Sequence, residues 1–280
     1  MNDSRIGFMQ GRLSPVISGK IQEFPWKNWR QEFDIASRLG FSLMEWTLDQ
    51  ERLYESPLMT EIGQLEIIKL SHNYGIRIPS LTGDCFMQSP YWKILGPEKK
   101  DRQNDFISIL DACAKVGISQ IVIPLVDGGR IENNEQSLAL LDFLQEQETN
   151  ICNRGIQIVF ESDFHPDKLR LFIQQFNPKT FGINYDSGNS AALGFDVDQE
   201  FCAYGDRILN VHIKDRVLGG TTVPLGDGNA NFEEVFHQLT KIRYKGNYIL
   251  QTARSSNGDH SGVLSNYKSM AEQWVSDHGS

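Results

Sequence analysis

Four residues with ligand chemistry fall at the ends of short apolar runs. Glu161 closes IVFESD, Asp186 lies in INYDSGN, His212 in NVHIKDR and Gln251 in ILQTAR. Two carboxylates, an imidazole and an amide carbonyl can together hold one divalent cation. Two carboxylates turned into a dry interior would otherwise carry a large desolvation cost. The competing reading is a buried hydrogen-bond network with no ion. For any one of the four taken alone, that plainer reading is preferred.

Whether they converge depends on the elements beneath them. Eight runs read as strands: Arg5–Met9, Ser42–Trp46, Arg77–Leu81, Gln120–Leu125, Ile156–Glu161, Thr180–Asp186, Ile208–Lys214 and Tyr248–Thr252. Most are apolar on both faces, as parallel strands covered by helices are. Helical patterns alternate with them. Leu58, Ile62, Leu65 and Ile68 form one stripe after Pro57, a residue suited to a first helical position. Gly40, Gly75, Gly117 and Gly155 each end a helical stretch just before a strand, the C-cap signal. Eight strand-plus-helix units predict an α/β fold, a single (β/α)8 TIM barrel over residues 1–280. An open doubly wound sheet is the alternative, but GFMQGRL after the first run lacks a GxGxxG phosphate loop. The closing SDHGS is expected to fray.

Strand alternation then tests the convergence. Asn184 and Asp186 share one face, with Phe181, Ile183 and Tyr185 on the other. Asn210 and His212 share a face opposite Leu209, Val211 and Ile213. Glu161, Asp186, His212 and Gln251 are therefore expected to meet at the C-terminal mouth, where barrels of this kind keep their reactive groups. The same strand ends carry Glu45, Asn189, Lys214, Arg216 and Arg254, and Arg12 follows the first run. Glu161 and Lys214 are the candidates for proton transfer. Arg12, Glu45, Asn189, Arg216 and Arg254 are expected to contact substrate. Such a ring of cations can grip phosphate or carboxylate, although each alone can be a solvated surface charge. Phe8, Trp46, Phe86 and Trp92 could stack on a sugar or simply fill the core. The loop PLGDGNANF either brings backbone close to a ligand or is an ordinary connection.

Composition narrows the remaining possibilities. The chain has 280 residues, 40% of them hydrophobic, and a formal charge of −9. That charge argues against nucleic acid or an anionic membrane as a partner. Cys85, Cys113, Cys152 and Cys202 lie far apart and read as reduced core residues of a cytoplasmic protein. The start, MNDSRIGFMQGRL, shows no signal-peptide pattern, and no run has the length of a membrane helix.

The motifs GxxIxFESD, NYDSGN, NVHIKD and PLGDGNANF, in this order and on these strands, resemble the sugar isomerase/epimerase group with a xylose-isomerase-like barrel. The likeness runs from GFMQGRLSP to the last helix. It implies a Glu, an Asp, a His and a second Glu on strands five to eight, binding Mn²⁺, Mg²⁺, Co²⁺ or Zn²⁺. Glu161, Asp186 and His212 match the first three. Gln251 departs from the fourth, and Asn189 stands where several ketose 3-epimerases have histidine. An amide can offer an oxygen to a metal, but no charge and no proton. The second proton-transfer group must then be Lys214, Asp163 or Asp84, unless one base suffices. The expected activity is isomerisation or epimerisation of a small sugar or sugar phosphate. Dehydration of a polyol or keto-sugar, a repair nuclease and a non-catalytic sugar-binding barrel are the alternatives. A homo-oligomer is compatible with all of them.

Overall fold

The computed structural model describes residues 5–17 and 19–279. Its strands are β1 (Ile6–Met9), β2 (Met44–Thr47), β3 (Ser80–Thr82), β4 (Gln120–Leu125), β5 (Gln157–Ser162), β6 (Phe181–Asp186), β7 (Ile208–Ile213), β8 (Asp215–Arg216), β9 (Thr222–Val223) and β10 (Asn247–Leu250). Eight of them close a barrel in the order β1-β10-β7-β6-β5-β4-β3-β2, every pair parallel. The open-sheet alternative is thereby excluded, and the fold is a single (β/α)8 TIM barrel.

The helices are α1 (Trp29–Arg38), α2 (Glu61–Tyr74), α3 (Asp84–Gln88), α4 (Pro97–Val116), α5 (Asn134–Asn153), α6 (Pro166–Ile173), α7 (Ser187–Leu193), α8 (Val197–Tyr204), α9 (Phe232–Lys241) and α10 (His260–His278). Gly75 and Gly117 cap α2 and α4 in the left-handed region, φ 67° and 84°, which a side chain would strain. Each releases the chain into the next strand. The core lies between strands and helices, with Trp29, Trp46, Phe106, Phe160 and Phe236 among its fully buried members.

Several expectations need correction. The stripe on α2 faces water: Ile62 is 82% exposed, Leu65 69% and Ile68 45%. Gly63, Gln64 and Ile67 pack inward instead. Pro57 opens a short 3-10 turn, and Thr60 caps α2 by accepting from Gly63 N. Cys85 and Cys113 are buried, but Cys152 and Cys202 are exposed. The end of the chain is helical through His278, which stands 3.0 Å from Glu233, and Ser280 lies outside the described residues. Phe8, Trp46, Phe86 and Trp92 are all buried, in line with the core reading given for them. The antiparallel arm β8–β9, rising from the mouth, has no counterpart in the sequence reading.

That arm explains PLGDGNANF. The Asp215 carboxylate accepts from the backbone N–H of Gly226, Gly228 and Ala230. A Cβ at position 228 would lie 2.2 Å from Asp215 Oδ1. The glycine is needed for approach to this carboxylate, and the loop wraps Asp215.

Candidate functional site

β5, β6 and β7 are adjacent, and each carries one reactive side chain inward near its C-terminal end. Pairing sets Asp186 beside His212 across β6 and β7. One ligand atom from each of Glu161, Asp186 and His212 lies within 4.8 Å of the others, and all three residues are buried. This trio can hold a divalent cation.

The imidazole is fixed from behind. His212 Nε2 stands 2.8 Å from Glu45 Oε1, while Glu45 Oε2 accepts from Ser80 Oγ at 2.6 Å and Asn210 Nδ2 at 3.0 Å. A proton held on Nε2 leaves the Nδ1 lone pair for a ligand bond. Nδ1 is buried with no hydrogen-bond partner among the described residues, although Glu161 Oε2 is 3.1 Å away. An orphaned imidazole nitrogen facing two carboxylates fits a cation. Glu45 itself has no exposed surface. It braces His212 and does not reach the cavity, contrary to the expected substrate contact.

Glu161 is held from its other side. Asn189 Nδ2 donates to Oε1 at 2.6 Å and Asn184 Nδ2 to Oε2 at 3.0 Å. Asn189 is itself anchored, its N–H donating to Asp186 Oδ1 and its carbonyl accepting from Arg216 Nη1, both at 2.8 Å. Asn189 and Arg216 thus aim Glu161, while both still line the cavity. Lys214 Nζ bridges Asp186 Oδ2 at 3.4 Å and Gln251 Oε1 at 3.2 Å. Gln251 sits just past β10, with its carbonyl turned to this ammonium. Lys214 thus already touches one member of the trio and the amide expected as fourth ligand.

Burial and neighbours set the charges. Burial opposes ionisation of Glu161, but the His212 ring facing it at 3.1 Å outweighs burial and holds the carboxyl below its usual range. Burial raises Asp186, with Lys214 opposing. Burial also disfavours the imidazolium of His212, yet Glu45 and Glu161 prevail and lift it to about 10. A proton then holds the place that a cation would take.

A cavity of about 220 Å³ opens above, lined by Arg12, Gln22, Asp84, Glu161, Lys214 and Gln251 among others. Arg12 is nearly buried and donates to Thr252 O, Ile21 O and Gln22 Oε1. Burial, with the charge of Arg254, lowers it to about 9. Arg254 lies apart from the trio. It donates to Ser14 O and lines a neighbouring recess of about 510 Å³ with Lys20, Ser255 and Asn257. Gln22 lies in the loop after β1 and Glu32 on α1, so neither falls at a strand end where alternation could point to it. Glu32, on α1, accepts from Gly11 N, Leu13 N and Ser14 Oγ, and so shapes the loop that carries Arg12.

A closed parallel barrel with an acid–imidazole trio at its C-terminal mouth defines a class, and the sequence agrees. The chain belongs to the xylose isomerase-like TIM barrel family, whose model matches residues 33–273. Among curated relatives, it is 27% identical over 236 residues to the L-ribulose-5-phosphate 3-epimerase UlaE of Escherichia coli O1:K1, covering 80% of this chain and 81% of that one. Among solved structures, the D-allulose 3-epimerase from Methylomonas sp. in complex with D-allulose superposes with a TM-score of 0.74 at 18% identity, covering 96% of each chain. The IOLI protein with a bound zinc atom superposes with a TM-score of 0.76 at 16% identity, covering 98% of this chain and 99% of that one. No helix among the described residues is long and apolar enough to cross a membrane.

Proposed function

We propose that the protein is a divalent-cation-dependent isomerase or epimerase of a small sugar or sugar phosphate. The observation that carries this reading is the trio Glu161, Asp186 and His212, with its unpartnered imidazole nitrogen. The relatives named for ribulose-5-phosphate 3-epimerisation support it. The residues that would hold the ion are Glu161, Asp186, His212 and the carbonyl of Gln251, and Mn²⁺, Mg²⁺, Co²⁺ or Zn²⁺ suits such a set. When bound, the cation supplies Lewis-acid polarisation of the sugar carbonyl.

The side chains supply the rest. Glu161, held ionised, removes a proton from the carbon beside the carbonyl. Lys214 Nζ donates to the oxygen on which charge then gathers. Asn189 and Arg216 keep Glu161 aimed. Arg12 and Arg216 bring positive charge to the cavity wall, which suits a phosphorylated substrate. The net charge of −9 and the free cysteines fit a cytoplasmic enzyme without a nucleic-acid partner.

A panel of 2-ketoses and 2-ketose phosphates, including L-ribulose 5-phosphate and D-allulose, tests the reading. Turnover should vanish with a chelator and return with Mn²⁺. Scoring the same reactions for loss of water separates isomerisation from dehydration. Turnover indifferent to chelation, or none on the whole panel, would contradict the proposal.

A further inference from the structure

We infer that Asp84 is the second acid–base residue of this site, giving a proton to the face of the sugar carbon opposite Glu161. The inference rests on the carbohydrate reading above. Gln251 has no proton to give, so another group must serve an inversion at carbon. Three side chains are candidates. Asp163 is ion-paired with Arg130 at 2.5 Å and does not line the cavity. Lys214 is engaged with Asp186 and Gln251, which suits it to an oxygen near the trio. Asp84 remains, entering the same cavity from the end of β3, with β4 between that strand and β5.

The geometry around Asp84 is specific. Its Oδ2 accepts from Gln22 Nε2 at 2.8 Å. The Gln22 carbonyl accepts in turn from Gln251 Nε2 at 3.3 Å and Arg12 Nη2 at 3.2 Å. The carboxyl missing at position 251 is thus found one amide away. No hydrogen bond to Asp84 Oδ1 occurs among the described residues. The charged groups that act on Asp84 are Asp49, Glu161 and Arg12. Burial first, then the Asp49 charge, lifts its carboxyl to about 7; the Gln22 hydrogen bond and Arg12 oppose, and Glu161 adds. Asp84 therefore keeps a share of its protons near neutral pH and can give one to a carbon in the cavity that it lines.

The step balances. The Glu161 carboxylate takes the proton of the carbon beside the carbonyl. The C–H pair becomes a C=C bond, and the carbonyl π pair moves to oxygen, where Lys214 donates. Asp84 then gives its O–H proton to the opposite face of the same carbon. The C=C pair forms the new C–H bond as the oxygen pair returns to C=O. Glu161 ends protonated and Asp84 ionised, and solvent exchange resets both.

The test uses the wild-type chain and Asp84→Asn with Mn²⁺ in D₂O, on L-ribulose 5-phosphate and D-allulose. Wild type should form the 3-epimer with deuterium at C3. Asp84→Asn should keep deuterium exchange at C3 and lose epimer formation by about 100-fold or more. A second measurement needs no variant: wild-type epimer formation should fall as pH rises through about 7, where Asp84 ionises, while exchange persists. Epimer formation by Asp84→Asn at the wild-type rate overturns the inference and leaves the carbohydrate reading intact. So does an equal loss of exchange and epimer formation, or a wild-type rate that is flat through neutral pH. Silence of wild type on these two ketoses and on the rest of the panel overturns the carbohydrate reading and the role of Asp84 together.

Discussion

His212 Nε2 and Glu45 Oε1 stand 2.8 Å apart, with neither side chain exposed. The two residues are 167 positions apart in the chain, and barrel closure brings them together. The contact fixes which imidazole nitrogen carries a proton and which can bind an ion.

Glu45→Gln should therefore weaken Mn²⁺ binding by about 10- to 100-fold while the barrel stays folded. An amide can donate to Nε2 and reverse the tautomer. Calorimetric titration with Mn²⁺, beside a thermal melt, measures both effects. Unchanged affinity would mean that Glu45 has no part in orienting the ring.

Cation binding should release a proton. Burial opposes the imidazolium, but Glu45 and Glu161 lift His212 to about 10, so near neutral pH an ion must displace a proton. Affinity should then rise with pH towards that value, by up to about tenfold per unit. Titrations in buffers of different ionisation enthalpy count the protons. A count of zero would contradict this protonation state.

Much of this arrangement was legible in the sequence, for particular reasons. Runs such as Gln120–Leu125 are largely apolar on both faces, as covered parallel strands are, and alternation puts Asp186 and His212 on one face. The contact of Glu45 with His212 was not legible, because nothing local to EWT reports on a strand across the barrel. The stripe Ile62, Leu65, Ile68 misled for another reason. Helical spacing marks an apolar face, but α2 turns Gly63 and Gln64 onto Pro57 and Leu58 and leaves the stripe to water. The loop holding Gln22 has no period at all, so its link between Asp84 and Gln251 could be seen only in three dimensions.

Gln251→Glu would add a carboxylate beside Lys214 and the trio. Mn²⁺ binding should tighten by about tenfold or more through the added charge. Turnover of whichever panel ketose wild type accepts should drop by about tenfold, because Lys214 would be drawn to the new carboxylate. Turnover at or above wild type under saturating Mn²⁺ would show that the neutral amide is not matched to the chemistry.

Glu32→Ala removes the acceptor for Gly11 N, Leu13 N and Ser14 Oγ at once. Orphaned buried donors cost about 1–3 kcal/mol each, so a loss of roughly 3 kcal/mol is expected. Urea unfolding measures it. A midpoint equal to wild type would show that the loop carrying Arg12 holds its shape without Glu32.

The ion itself tests the central claim most directly. Purified wild type, stripped with a chelator and dialysed against Mn²⁺, should retain one ion per chain by elemental analysis. His212→Ala and Asp186→Ala should retain far less while keeping the circular dichroism of the folded barrel. Wild type that binds no ion, or folded variants that bind as much as wild type, would contradict the assignment of Glu161, Asp186 and His212 as a cation site.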